Sequence, residues 1–197
     1  MAAGDPALRR VTIADLIAAE HAGRRCEIIA GSLVDKEAGG RRHAGAQGAV
    51  TGSLFHRFGG GSDEDRPGGW VFLVEATIAV DAENVLTPDI SGWRRERAPT
   101  TDDFPIAVPS DWACEIVNSS HSRDLGEKPP LFHAIRVGHY WVLDLKAEML
   151  TVYRWADEGY VWVTSVPPSA TVRLEPFAAV EFKVWELFGL AEPPPAP

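Results

Sequence analysis

The sequence predicts a mixed α/β domain with one central sheet, and three observations support that class. The chain has 197 residues, of which 45% are apolar, and this is enough for one hydrophobic core without a disulfide scaffold. Two apolar segments, Trp112–Val117 and His139–Asp144, flank a helical segment that is clearest over Leu131–Val137, and strands at this spacing form a parallel βαβ unit. Farther along, Leu150–Trp155 and Tyr160–Thr164 alternate apolar and polar residues, which is typical of an antiparallel hairpin with one wet face.

The amino-terminal part is predicted to contain a helix, a hairpin and a second helix. Thr12 and Asp15 form a capping-box pattern that begins a helix ending near Ala22. Two short apolar segments, Cys26–Ile29 and Ser32–Asp35, surround a glycine turn and predict a hairpin. The second helix is predicted over residues 43–58 because one face carries a regularly spaced stripe: His43, Gln47, Val50, Leu54 and Phe58. Its first half is polar along the same line and is expected to face a polar pocket.

The remaining elements follow from shorter patterns. Trp70–Val80 predicts one long strand with an apolar face and a mixed face that carries Glu75 and Thr77. Pro88–Trp93 predicts a second strand and Val184–Phe188 a last short helix. We therefore expect one domain over residues 11–190, with an amino-terminal tail (1–10) and a proline-rich tail (191–197).

Charge and cysteine content narrow the classes of function. The formal net charge is −9, which argues against a broad basic face for nucleic acid but allows an enzyme that meets phosphate through a bound cation. Cys26 and Cys114 are too few and too far apart for a disulfide scaffold or a metal-binding pair. The start of the chain has no signal-peptide pattern, and the apolar run Val71–Val80 is too short to span a membrane. We expect a cytoplasmic protein without a membrane partner.

Polar residues interrupt the predicted strands at chemically suggestive points. Asp89 follows Pro88 at the start of one strand, and Glu115 lies inside an apolar strand. A buried carboxylate without compensation costs several kcal/mol, and Mg²⁺ can compensate two of them while it keeps waters for chemistry. Lys128 stands where the next helix begins, from which a lysine can stabilise charge on a phosphate. Taken one at a time, these residues also have an ordinary interpretation as solvated or capping side chains.

The order of these motifs resembles a known nuclease pattern. Pro88-Asp89 followed by Glu115-Ile-Val117 resembles the PD-(D/E)XK signature, and the surroundings resemble the Uma2 family within that superfamily. The segments that carry the resemblance cover residues 11–190 and include Arg24–Val34, His43, Thr87–Ile90, Glu115–Ser120, Asp124–Lys128 and Tyr140–Asp144.

The resemblance implies a restriction-endonuclease-like core that hydrolyses phosphodiester bonds, with nucleic acid as a transient substrate. It implies that Asp89 and Glu115 bind Mg²⁺ or Mn²⁺, and that Lys128 replaces the lysine missing at Val117. Glu27 and His43 are further pocket candidates by their motif positions. Their ordinary interpretations are an exposed hairpin residue and a polar group at a helix start, respectively.

The chain departs from the family pattern at three places. Ala30 stands where the family has an acidic turn residue, and Asn118-Ser119-Ser120 replaces a Ser-Pro-Ser segment. Pro129-Pro130 follows Lys128, and because proline fits only the first turn of a helix, we expect Lys128 at the helix cap and not one turn inside. From that position its ammonium group is expected to miss the metal.

Two other functions remain open at this point. The fold could serve as a catalytically inactive binding or assembly module, with Trp93, Trp141, Trp155 and Trp162 as candidates for a partner surface. It could also be a different metal hydrolase that acts on a small phosphorylated compound in an enclosed pocket. The carboxy-terminal hairpin and the amino-terminal extension are candidate surfaces for a homodimer, since two-fold oligomers are common.

Overall fold

The structure, a computed structural model, describes residues 10–36, 39–61, 67–118 and 126–191. Within these ranges the helices are α1 (Ile13–His21), α2 (Arg41–Leu54), α3 (Lys128–Ala134) and α4 (Val184–Leu187). The strands are β1 (Cys26–Ile29), β2 (Ser32–Asp35), β3 (Trp70–Val74), β4 (Ile78–Ala79), β5 (Val85–Leu86), β6 (Ile90–Arg94), β7 (Trp112–Val117), β8 (His139–Asp144), β9 (Met149–Ala156), β10 (Gly159–Val166), β11 (Thr171–Val172) and β12 (Phe182–Lys183). Nearly all of both predicted tails, and the departures at Ser119 and Ser120, lie outside the described residues.

A six-stranded mixed sheet forms the centre of the fold. Its strand order is β10-β9-β8-β7-β6-β3. Strands β7 and β8 are parallel, with Trp112 opposite His139 and Val117 opposite Asp144. The other neighbouring strands of this sheet are antiparallel. The predicted βαβ unit is confirmed, because α3 connects the parallel pair, and the hairpin β9–β10 is confirmed as well.

A smaller four-stranded sheet has the order β2-β1-β5-β4. The predicted hairpin is present as β1 and β2, and its turn uses Ala30 and Gly31, which both have positive φ. Ala30, which stands at the position of the family's acidic turn residue, is strained in this left-handed region. Strand β5 then joins the other edge of β1, with Ile28 opposite Val85. A separate two-stranded sheet pairs β11 with β12.

The predicted long strand over 70–80 is wrong, because the chain changes sheets within it. Strand β3 ends at Val74, and Glu75 has a φ of 52°, a conformation that few non-glycine residues adopt. The Glu75 amide donates to the Asp89 carbonyl oxygen, and its carboxylate pairs with Arg25. The chain then continues as β4 in the smaller sheet. Strand β3 buries Trp70 and Phe72, and β4 buries Ile78. These residues share one parity, so the sequence pattern gives no signal of the break.

The second helix is shorter than predicted at its carboxyl end. It spans Arg41–Leu54 and is followed by a π-helical turn over Phe55–Gly59. Val50, Leu54 and Phe58 are buried, as the stripe predicts.

Three hydrophobic clusters arrange the elements in layers. The largest cluster packs α2 and the carboxy-terminal segment on one face of the central sheet, around Phe177 and Trp112. A second cluster packs α3 and the smaller sheet on the opposite face, where Ile29 and Leu86 contact the side of the sheet that bears Val117. The third cluster packs α1 on the smaller sheet. None of the described helices is long and apolar enough to cross a membrane.

Candidate active site

Asp89 stands at the point where the two sheets meet. It follows β5 of the smaller sheet and directly precedes β6 of the central sheet. Strands β6 and β7 pair from Gly92–Trp112 to Ile90–Cys114, so the antiparallel register places Asp89 opposite Glu115. Among the described residues, Ile90–Cys114 is the last pair of this ladder, and we call the space beyond it the opening between β6 and β7. The Asp89 side chain spans the opening, since its Oδ2 accepts a hydrogen bond of 2.7 Å from the Ile116 amide.

Two basic side chains stabilise the Asp89 carboxylate. His43 Nε2, from α2, lies 3.0 Å from Oδ2, and Lys36 Nζ, at the end of the hairpin, lies 2.9 Å from Oδ1. We call Asp89, His43 and Lys36 the Asp89 cluster. Burial raises the pKa of Asp89, but the His43 hydrogen bond and the Lys36 charge outweigh burial and hold the pKa well below its usual range. Asp89 is therefore a carboxylate at neutral pH.

The helix geometry brings the Lys128 ammonium group to a second pair of carboxylates. Helix α3 begins at Lys128 with the two prolines in its first turn, as the double proline predicts. Its Nζ lies 2.9 Å from Glu115 Oε1 and 3.2 Å from Glu27 Oε2. Although Lys128 is not one turn inside the helix, its ammonium group therefore does reach the candidate metal ligand Glu115. We call Glu27, Glu115 and Lys128 the Lys128 cluster.

Glu27 is a buried residue, so its interpretation as an exposed hairpin side chain is wrong. Only 3% of its surface is exposed, because β1 turns it towards the central sheet beside Ile29. Its Oε1 accepts a hydrogen bond of 2.7 Å from the Thr87 amide. The Thr87 carbonyl oxygen in turn accepts a hydrogen bond of 2.7 Å from Lys36 Nζ. Thr87 therefore connects the Lys128 cluster to the Asp89 cluster.

The two clusters approach the opening between β6 and β7 from different faces of the central sheet. Glu115 alternates with Ala113 and Val117, whose face is covered by α3 and the smaller sheet. His43 belongs to α2, which covers the opposite face. Among the described residues, no three His, Cys, Asp or Glu side chains converge as a complete metal-binding set. The structure thus brings the five candidate residues into two adjacent ion clusters and not into one.

The chemistry of the donors fits an oxygen-preferring divalent cation. Asp89 Oδ1 is buried, and although it lies near Lys36 Nζ as an ion pair, no hydrogen-bond donor is aligned with it. The Lys36 ion pair compensates this oxygen without an aligned hydrogen bond, and a cation could be coordinated there in place of the ammonium group. Mg²⁺ is held in proteins by one or two carboxylates together with waters. Asp89 and Glu115 supply that number.

A family model decides the identity of the chain. The Uma2 model, described as "Putative restriction endonuclease", matches residues 13–187. The chain belongs to the Uma2 family. A crystal structure described as a "putative nuclease belonging to DUF820 from Anabaena variabilis ATCC 29413" is similar, with a TM-score of 0.65 and 18% sequence identity over 90% of this chain and 97% of that chain. At this identity the likeness shows the fold, and it confirms the predicted fold class. No curated protein matches the chain.

Sequence reasoning missed one residue of this Uma2 site and anticipated another. Gln47 follows His43 by one helical turn, and its Nε2 donates to the Asp89 carbonyl oxygen at 3.0 Å, which explains the polar half of the α2 stripe. Lys36 was missed because a lysine at the end of a hairpin gives no sign of a buried partner. Only the packing of the smaller sheet beside Asp89 brings it to the site.

The tryptophans proposed for a partner surface in the binding-module hypothesis are mostly unavailable. Trp93 and Trp141 are fully buried. Trp155 is partly buried and stacks on His133. Trp162, with 61% of its surface exposed, remains accessible on the edge strand β10.

Proposed function

We propose that this Uma2 protein is a divalent-cation-dependent nuclease that hydrolyses phosphodiester bonds, with Asp89 and Glu115 as the cation ligands. The observation that supports the proposal is the register of β6 and β7, which sets residues 89 and 115 opposite each other at the end of the ladder, each with a buried carboxylate side chain. The buried ammonium group of Lys128 contacts one of them. Membership of a family described as "Putative restriction endonuclease" supports the same reaction class.

Five residues of the two clusters have distinct proposed roles. A divalent cation at Asp89 and Glu115 would supply Lewis-acid polarisation of the phosphate and a nucleophile at neutral pH. Lys128 donates a charge-assisted hydrogen bond to Glu115 Oε1 and would stabilise negative charge that develops on the phosphate. Glu27 holds Lys128 from the other side. His43 and the Ile116 amide orient the Asp89 carboxylate.

Cleavage assays test the proposal. Linear and circular DNA and single-stranded RNA are incubated with the protein and Mg²⁺ or Mn²⁺, and products are separated by electrophoresis. Asp89→Asn and Glu115→Gln keep the shape of each side chain and remove its charge. Each is expected to lower the cleavage rate by about 100-fold or more, because a lost charge at a reacting phosphate has effects of that order.

The matched controls are Asp157→Asn and Glu158→Gln in the exposed β9–β10 turn, which are expected to cleave like the unaltered protein. Equal cleavage by the unaltered protein and by Asp89→Asn, in preparations free of contaminating nuclease, would contradict the proposed site.

A non-catalytic binding module is the second candidate, and one observation favours it. Lys36 and Lys128 already neutralise Asp89 and Glu115 in part, so the carboxylates are compatible with a folded protein that holds no cation. Folded protein that shows neither Mn²⁺ binding by calorimetry nor cleavage of any nucleic acid would support this candidate over the nuclease.

A further inference from the structure

Lys36 is placed where it competes with any cation that approaches Asp89. Its Nζ lies 2.9 Å from Oδ1, the Asp89 oxygen that lacks an aligned hydrogen-bond donor, while Oδ2 is already used by His43 and the Ile116 amide. The side chain is only 11% exposed, and the Thr87 carbonyl oxygen fixes its position through a hydrogen bond of 2.7 Å. Lys36 is therefore held against the oxygen that is best suited to coordinate a cation.

The formal charges of the two clusters also indicate that Lys36 competes with a cation for Asp89. Five of the six side chains in the two clusters are counted as charged, and His43 is counted as neutral. Glu27, Asp89 and Glu115 carry three formal negative charges, and Lys36 and Lys128 carry two positive ones. A divalent cation added to this group would leave a buried excess of positive charge. If the Lys36 ammonium group moves away, the remaining charge of the four other side chains is equal and opposite to that of the cation. Electrostatics therefore favours exchange of Lys36 for the cation over simple addition.

We infer that Lys36 is a built-in counter-cation for Asp89, and that a divalent cation binds this chain by displacing the Lys36 ammonium group. The inference rests on the proposed function, because it concerns the same cation. The Lys36 ammonium group is able to move away from Asp89, because a lysine side chain has a flexible stem of four carbons. It follows that the site is neutralised in two alternative ways, by lysine or by metal, and that cation affinity is lowered by the work of displacing Lys36.

Calorimetric titration with Mn²⁺ tests the inference in the full chain. Lys36→Met and Lys36→Gln remove the charge and keep a side chain of similar length, and both are expected to bind Mn²⁺ about tenfold more tightly or better. Lys36→Arg keeps the charge and is expected to show no such gain. Lys146→Met, in the exposed turn after β8, is the matched control and is expected to bind like the unaltered protein. Asp89→Asn is expected to abolish the gain when combined with Lys36→Met.

Thermal unfolding with and without Mn²⁺ gives a second readout if the charge-removing variants are less stable. Mn²⁺ is expected to raise the melting temperature of Lys36→Met more than that of the unaltered protein, because stabilisation by a ligand at a given concentration increases with the logarithm of its affinity. Equal Mn²⁺ affinity in the unaltered protein and in both charge-removing variants would overturn the inference and leave the proposed function standing. Absence of Mn²⁺ binding in all of them would overturn both.

Discussion

Asp89 shows how basic side chains and an amide group keep a buried carboxylate charged. Burial alone would favour the protonated form, and the cost of a buried charge without partners is several kcal/mol. The Ile116 amide, His43 and Lys36 each interact with one of its two oxygens. His43 and Lys36 lower the pKa of Asp89 despite burial. The charged form is therefore built into the folded state, and it does not require a bound cation.

The lowered pKa of Asp89 predicts a loss of stability in acid. A carboxylate with a lower pKa in the folded than in the unfolded chain stabilises the fold at pH values above the unfolded pKa of about 3.9, and this contribution falls as the pH drops below it. The difference in free energy of unfolding between the unaltered protein and Asp89→Asn is expected to shrink by about 1 kcal/mol from pH 5 to pH 3. Urea denaturation at both pH values measures it. Asp157→Asn controls for the loss of an exposed carboxylate, and a difference that does not change with pH would contradict the prediction.

The candidate residues differ in how far their sequence context could reveal them. Glu115 could be found because a glutamate inside a buried apolar strand needs a partner. Lys128, an ordinary surface lysine when taken alone, could be found only from its position after Asp89 and Glu115 in the family pattern. Lys36 could not be found, because its partner Asp89 is far along the chain and no local pattern connects the two. A local sequence pattern can identify a charged residue that is buried, but it cannot identify the distant residue that neutralises its charge.

Strand β6, which begins directly after Asp89, is tightly packed at Gly92. Gly92 lies between the rings of Phe72 on β3 and Trp112 on β7, and a Cβ atom at this position would stand 3.1 Å from each ring. Both rings also pack against Phe177, so they have little freedom to move away. The absence of a side chain at Gly92 therefore allows the central strands to pack closely next to the site.

Two glycine substitutions with opposite expected effects test this account. Gly92→Ala is expected to lower the free energy of unfolding by about 1–3 kcal/mol through overpacking. Gly48→Ala, at an exposed position inside α2 with no atom near the new Cβ, is expected to raise it by about 0.5–1 kcal/mol, because alanine has the higher helix propensity. Chemical denaturation of both variants measures the effects. A neutral Gly92→Ala variant would show that the rings can yield.

Helices and strands could be predicted from the sequence where each element packs within a single sheet or on a single face. The strands β7 and β8 and the capped helix α1 lie where the sequence places them. The prediction over residues 70–80 failed because the chain leaves one sheet at Glu75 and enters another that has the same period of two. Alternation of apolar and polar residues indicates a strand with one buried face, but it does not indicate which sheet the strand belongs to.

The whole molecule depends on an aromatic cluster that joins the carboxy-terminal segment to the central sheet. The Phe177 ring lies at the centre of this cluster, with centroids 4.9 Å from Phe58 and Trp70 and 5.4 Å from Trp112. Phe177 itself is fully buried and lies between β11 and β12. The segment after the hairpin therefore forms part of the core and covers one face of the sheet.

Removal of the Phe177 ring is expected to destabilise the whole fold. Phe177→Ala should lower the free energy of unfolding by about 3–5 kcal/mol, because it leaves a cavity among rigid rings. The change is read from urea denaturation followed by tryptophan fluorescence. Phe104→Ala, at a side chain with 42% of its surface exposed, is the control and should cost less than about 1 kcal/mol. Similar losses in the two variants would contradict a central role for Phe177.

The homodimer stays a prediction at this scale. Strand β10 is an edge strand of the central sheet and carries the exposed side chains Val161 and Trp162. A register shift between Trp162 and Thr164 interrupts its pairing with β9, and such irregularities protect free edges from pairing with other chains.

The position of Asp89 between the two sheets has a consequence for motion. The smaller sheet supplies Glu27, and Lys36 follows its edge strand, whereas Glu115 belongs to the larger one. A transient separation of the sheets would withdraw Glu27 from Lys128 and Lys36 from Asp89 in a single event. In such an event, the exposure of the acidic groups would depend on the packing between the two sheets, a property of neither sheet alone.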